Sequence, residues 1–172
     1  MSLIKSQGFE FNHTDVARRA GVHHTTVYRR WPTKSDLLRE TMKEQYKRFD
    51  FQKSGDFIND LHEICQSLAS YTAEPVQRIV FGYAVVSQDT DTADLLREFW
   101  FPVRREMEKI VQDAIDDGKL SPDTDVYLFV QLLIGPLILV PLFTRKKLPR
   151  RQVKKIIDRL FLAHGIASAR RS

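Results

Sequence analysis

The sequence predicts an all-α fold. Apolar residues recur at steps of three and four along most of the 172-residue chain, and no segment alternates with a period of two. Breaks at Gly55, Glu74-Pro75, Asp89 to Asp91, Ser121-Pro122 and Leu148-Pro149 cut that pattern into helix-length pieces. Composition fits a buried core: 42% hydrophobic and 28% charged residues, with seven glycines and seven prolines, exclude collagenous and low-complexity chains. Cys65 is the single cysteine and forms no internal bridge, which excludes a disulfide-stapled scaffold. Residues 1 to 20 lack the charged-then-apolar pattern of a secretion signal, so a cytoplasmic location is expected.

The stretch from Thr14 to Leu38 is the most informative. Two short helices, 14–20 and 24–30, are joined at Gly21, where the absence of a Cβ tolerates a positive φ. That is helix-turn-helix geometry. Val16, Ala17 and Ala20 give the first helix a small apolar face for Val22, Val27 and Trp31 to meet. The second helix is left with His24, Thr25, Tyr28, Arg29 and, near its end, Arg30 pointing outward. Hydroxyl and guanidinium groups donate to base edges and phosphates, the Thr methyl suits a thymine methyl, and the Tyr28 hydroxyl suits a phosphate oxygen. Charge supports a polyanion partner: residues 1 to 53 hold 11 Lys/Arg against 6 Asp/Glu, residues 54 to 125 hold 6 against 15, and residues 126 to 172 hold 10 against 1.

Further helices follow. Leu37, Leu38, Met42 and Phe49 share a face over 36–49, a helix that would join the N-terminal module to what comes after. Phe57, Leu61, Ile64, Cys65, Leu68 and Tyr71 do the same over 56–72. Leu96, Phe99, Val103, Met107, Ile110 and Ala114 mark a long helix from Thr92 to Asp117, which Gly118 stops. Val153, Ile156, Ile157, Leu160 and Phe161 mark the last one. Val126 to Phe143 has Gln131 as its only strongly polar residue and basic residues directly after it, as a membrane span would. Gly135-Pro136 and Pro141 are expected to break its helical ladder, and the other helices need a common core, so a buried or subunit-interface helix is preferred to a bilayer span.

Val-Ala-Arg-Arg-Ala-Gly-Val at 16–22, Thr-Val-Tyr-Arg-Arg-Trp-Pro-Thr-Lys at 26–34 and Asp-Leu-Leu at 36–38 resemble the DNA-binding module of the tetracycline-repressor (TetR) family of bacterial regulators, densely over residues 8 to 42. The resemblance implies an N-terminal helix-turn-helix, three-helix domain over 1–50 and a helical effector-binding and dimerisation bundle over 51–172. It implies phosphate contacts from Tyr28 and Lys34, and places His24, Thr25, Thr26 and Arg30 near bases or backbone; Thr14 and Arg29 complete the DNA-facing set. It also implies a homodimer through helices near 126–143 and 151–166, an operator of double-stranded DNA, a small apolar or aromatic effector, and repression as the activity. Seven residues precede Gly8 where the family has a longer first helix, so that helix is expected to be cut short. The connection into the second helix is one residue shorter than usual, which leaves Asn12 and Thr14 as alternative caps and phosphate contacts. Position 23, often a serine cap in the family, is a histidine.

Other chemistry is not expected. His13, His23 and His24 lack a carboxylate or cysteine to complete a metal set, and His62 with Cys65 makes only a pair. Without a phosphate-binding glycine loop, a His-Glu-x-x-His or a Gly-x-Ser-x-Gly there is no visible catalytic apparatus, and no cofactor is implied. Phe99, Trp100 and Phe101 are consecutive and cannot all face one interior, which makes Phe99 and Trp100, with Cys65 and Tyr83, the candidates for an effector pocket. The alternative reading is an effector-binding or protein-interaction dimer with weak or lost DNA binding.

Overall fold

The computed structural model describes residues 1–47, 51–86 and 90–164 and, of residues 90, 92, 93, 96 and 99, the backbone only. In chain order the helices are α1 (Ser2–Gln7), α2 (His13–Ala20), α3 (His24–Arg30), α4 (Lys34–Tyr46), α5 (Phe57–Thr72), α6 (Pro75–Val86), α7 (Thr90–Asp116), α8 (Val126–Thr144) and α9 (Arg150–Ala163). The protein is all-α, and the described residues include no strand. The chain forms two compact units, Met1–Arg48 with Glu74–Trp100, and Phe49–Ala73 with Phe101–Ser172.

In the first unit the short helices are held by their ends. Asn12 caps α2, accepting from Thr14 and Asp15 N–H at 2.9 and 3.1 Å while the Asp15 carboxylate accepts from Asn12 N–H at 2.9 Å. Gly21 ends the same helix at φ 66°, the left-handed conformation the turn needs. Thr33 and Asp36 form the corresponding reciprocal pair at the start of α4. The core gathers Ile4, Phe9, Phe11, Leu37, Leu38 and Met42 with Val76 and Val80 of α6 and Leu95 of α7. Tyr83 stacks on Phe9 with ring centroids 4.1 Å apart. Residues 74–100, grouped with the C-terminal domain on sequence grounds, therefore share an apolar cluster with the N-terminal helices.

The second unit is built on α5, which packs against α8 and α9, themselves in contact. Leu61, Ile64, Cys65 and Leu68 of α5, Phe129, Val130 and Leu133 of α8, and Val153, Ile157 and Phe161 of α9 are buried. The α8 helix corrects one expectation. Pro136 and Pro141 lie inside it without ending it. A proline at 141 removes the N–H that would bond the Leu137 carbonyl, and Thr72 of α5 replaces it, its Oγ1 donating to that oxygen at 2.7 Å inside the core. By length and composition α8 would cross a bilayer, yet its Phe129, Val130, Leu133, Ile134, Leu137 and Pro141 are buried within this unit.

Candidate nucleic-acid interface

α3 packs on α2, and Val27 of α3 and Ala17 of α2 are both buried. Val16 and Trp31 are half-buried and pack against the cluster of Ile4, Phe9 and Phe11, whereas Ala20 and Val22, expected in the α2–α3 contact, are exposed. Val22 follows the Gly21 turn and is tied down by its backbone, its N–H bonding Ala17 O at 3.1 Å, so its side chain is left outside the small α2–α3 seam. With Val27 facing inward, His24, Thr25, Thr26, Tyr28, Arg29 and Arg30 are all exposed.

Several of these side chains are held in place. Tyr28, 54% exposed, lies between two imidazoles: His13 of α2 edge-on at 5.7 Å and His24 stacked at 6.0 Å between centroids. His13 is itself fixed, Nε2–H donating to the Trp31 carbonyl at 2.7 Å. His23 caps α3: Nδ1 accepts from Thr25 N–H at 3.4 Å and from the Thr25 hydroxyl at 2.8 Å, which leaves the hydroxyl oxygen of Thr25 its acceptor capacity. Thr14 is exposed on the first turn of α2, its N–H held by Asn12, so Asn12 rather than Thr14 is the cap. Lys34 is half-buried, with Nζ donating to the Phe9 carbonyl and 5.2 Å from the Phe11 ring centroid; two of its three N–H donors remain.

Arg30 carries the most contacts. Its guanidinium lies 4.8 Å from the Trp31 ring centroid, and Nη2 donates to Glu40 Oε1 of α4 at 2.9 Å. Glu40 Oε2 accepts from the Trp31 indole N–H at 2.8 Å. The indole hydrogen bond first, and Arg30 after it, hold the Glu40 carboxyl below the usual glutamate range against an opposing desolvation effect. Neither Glu40 nor the His13 support of Tyr28 stood out in the sequence. Glu40 is ten residues from Arg30, on another helix, and His13 is fifteen from Tyr28, so no local spacing marks either pair.

The ligand candidates are divided between the two units. Tyr83 and Trp100 belong to the first unit, where Trp100 meets Phe81 edge-on at 5.9 Å. Cys65 is in the second unit, fully buried, and burial pushes its thiol far above the usual cysteine range, which makes it unreactive. The Phe99 side chain lies outside the described ones. A cleft of about 670 Å³ in the second unit is lined by His62, Glu63 and Gln66 of α5 and Arg150, Arg151 and Lys154 of α9, none of them in the aromatic set. Among the described residues no group of three or more His, Cys, Asp or Glu is placed to hold a metal ion.

This geometry of a capped short helix turned outward over a supporting one agrees with what the chain is similar to. A family model described as bacterial regulatory proteins, tetR family, matches residues 1–41, and one described as tetracyclin repressor-like, C-terminal domain, matches residues 51–160. The chain belongs to the TetR family. As a member of that family it is a transcriptional regulator. The HTH-type transcriptional regulator AqdR of Rhodococcus erythropolis is 30% identical over a region that covers 70% of this chain and 59% of AqdR, so the match spans under two thirds of that relative's length. YdeS of Bacillus subtilis (strain 168), an uncharacterized HTH-type regulator, is 22% identical over 99% of this chain and 88% of its own. Among solved structures, the fatty acid degradation regulator FadR from Bacillus halodurans superposes with a TM-score of 0.75 at 19% identity, covering 92% of both chains. The flavonoid-responsive regulator FrrA does so with a TM-score of 0.70 at 18% identity, covering 94% of this chain and 91% of its own. Both likenesses are of fold.

Proposed function

We propose that this TetR-family protein is a homodimeric, ligand-responsive repressor that reads a near-palindromic operator with α3. The observation that carries the reading is the outward set on that helix: Thr25, Thr26, Tyr28, Arg29 and Arg30 exposed together, with Val27 alone of its core side buried. Tyr28 and Lys34 are assigned to phosphates, and His24, Thr25, Thr26 and Arg30 to base edges or the adjoining backbone, with Thr14 and Arg29 on the flanks. Two copies of α3 related by a two-fold axis would enter successive major grooves about 34 to 36 Å apart, so the operator carries two inverted half-sites one helical turn apart.

The exposed apolar stripe of α8, including Leu128, Leu132, Leu139 and Phe143, supports a partner copy there, since a monomer would leave it in water. The expected second interface helix, 151–166, is α9 as far as Ala163; residues 165 and 166 lie outside the described residues. A small apolar or aromatic effector would act by preferring one of two conformations, with a coupling of about 1 to 3 kcal/mol. The names of FadR, a regulator of fatty acid degradation, and of flavonoid-responsive FrrA support that class of ligand. A cytoplasmic location follows from this role.

Selection of binding sites from random duplex DNA, read at two salt concentrations, tests the proposal. Enrichment of one inverted repeat is expected. Tyr28→Phe and Lys34→Ala should then weaken binding to all sequences alike, whereas Arg30→Ala and Thr25→Ala should cost about 1 to 3 kcal/mol at particular bases. Salt-sensitive binding with no enriched sequence would reject it.

A further inference from the structure

Glu40 lies on α4, outside the outward-facing set of α3, yet it is where the last arginine of that helix is held. One carboxylate oxygen accepts from Arg30 Nη2 and the other from the Trp31 indole N–H, and the Arg30 guanidinium also lies over the Trp31 ring. Trp31 is packed against the core of the first unit, so this carboxylate is anchored through the indole rather than left to swing. A surface arginine without such support samples many rotamers and satisfies whichever phosphate oxygen comes nearest, a gain that carries no sequence information.

We propose that Glu40 is a positioning residue that sets operator discrimination: it holds the Arg30 guanidinium in one orientation and offsets its charge, so that Arg30 is used on a base edge instead of the closest phosphate. The pair leaves Nε–H, both Nη1 hydrogens and the second Nη2 hydrogen of Arg30 as donors, enough for a forked contact. A carboxylate held beside Arg30 also opposes close, sequence-independent approach of a phosphate chain. Glu40 therefore lowers affinity for arbitrary DNA and raises the ratio between operator and arbitrary sequence. The inference rests on the operator-binding reading above.

The experiment uses the full chain, the operator selected from random duplexes and a scrambled duplex of equal length, over a series of salt concentrations. Glu40→Gln keeps an oxygen for the indole and removes the charge. It is expected to bind scrambled DNA more tightly, with a salt slope steeper by about one ion. The operator-to-scrambled ratio should fall about tenfold, the scale of one lost base contact. In an Arg30→Ala background, where the ratio is already low, the same change should move it less than about twofold. Glu40→Asp, which keeps the charge but draws it back from Arg30, should lower the ratio with no steepening of the slope, and it decides the matter if Glu40→Gln melts below the assay temperature. A ratio unchanged in these variants, or an equal loss with and without Arg30, overturns the inference while leaving operator binding intact. A wild-type chain that selects no operator overturns the operator-binding reading and this inference with it.

Discussion

Replacing Thr72 with valine removes one buried donor and almost no volume. The Thr72 hydroxyl donates at 2.7 Å to the Leu137 carbonyl, whose usual partner four residues on is Pro141, which has no N–H. Both Thr72 and Leu137 are buried, at 1% exposure each, so no solvent replaces the lost bond. A buried carbonyl left without a donor costs about 1 to 3 kcal/mol, and the near-isosteric swap adds little cavity term. Equilibrium urea unfolding at one fixed protein concentration is the assay, with a lowered midpoint and an unchanged slope as the expected result. The deciding arm is Pro141→Ala, which supplies an N–H at residue 141. In that background Thr72→Val should cost less than about 0.5 kcal/mol, because Leu137 then has a partner within its own helix; any packing lost with the proline ring cancels in the cycle. A full loss in both backgrounds would show that Thr72 acts through packing and refute the reasoning about the proline-orphaned carbonyl.

Asp60 is buried and accepts from Ser54 N–H at 2.7 Å, Ser54 Oγ at 2.6 Å and Gly55 N–H at 3.1 Å. Burial alone would push its carboxyl up, but these bonds and Lys53 together hold it below the usual aspartate range. Its stabilisation is therefore complete above that range and lost as pH falls through the lowered folded value. Asp60→Asn should cost about 2 kcal/mol near neutral pH, and the gap to wild type in urea midpoints should close on acidification; a gap independent of pH would contradict this. His23→Ser should stabilise α3 by about 0.5 to 1 kcal/mol, since the serine oxygen caps better than an imidazole nitrogen 3.4 Å from Thr25 N, and slowed amide exchange within α3 reports it. Leu132→Glu, on the exposed α8 stripe where Leu132 is 51% exposed, should yield monomers in sedimentation and abolish selection of a two-half-site operator. A dimer that persists with this variant would move the partner contact elsewhere.

Much of the fold was legible because helices announce themselves locally. The expected helix at 24–30 coincides with α3, and the expected 14–20 begins one residue late relative to α2, because Asn12 is the cap. Gly21 and Gly118, both at positive φ, end the helices they were expected to end. The prolines misled: a proline in sequence reads as a break, but the backbone group it orphans in α8 is satisfied from α5, sixty-five residues away. Likewise the apolar residues of 74–100 carried no sign of joining Ile4, Phe9 and Phe11, because periodicity says which face is buried and not what buries it.

By itself the sequence determined the helical class, the turn at Gly21 and the residue types on the outer side of α3, all of which follow from backbone propensity, capping and spacing within a dozen or so positions. The tertiary structure alone decided how those side chains are held: Tyr28 between His13 and His24, Lys34 on the Phe9 carbonyl, and Arg30 with Trp31 on Glu40. The physical reason is range. Helix formation is governed by neighbours along the chain, whereas the direction of an exposed charged side chain is set by partners that only folding brings within hydrogen-bonding distance.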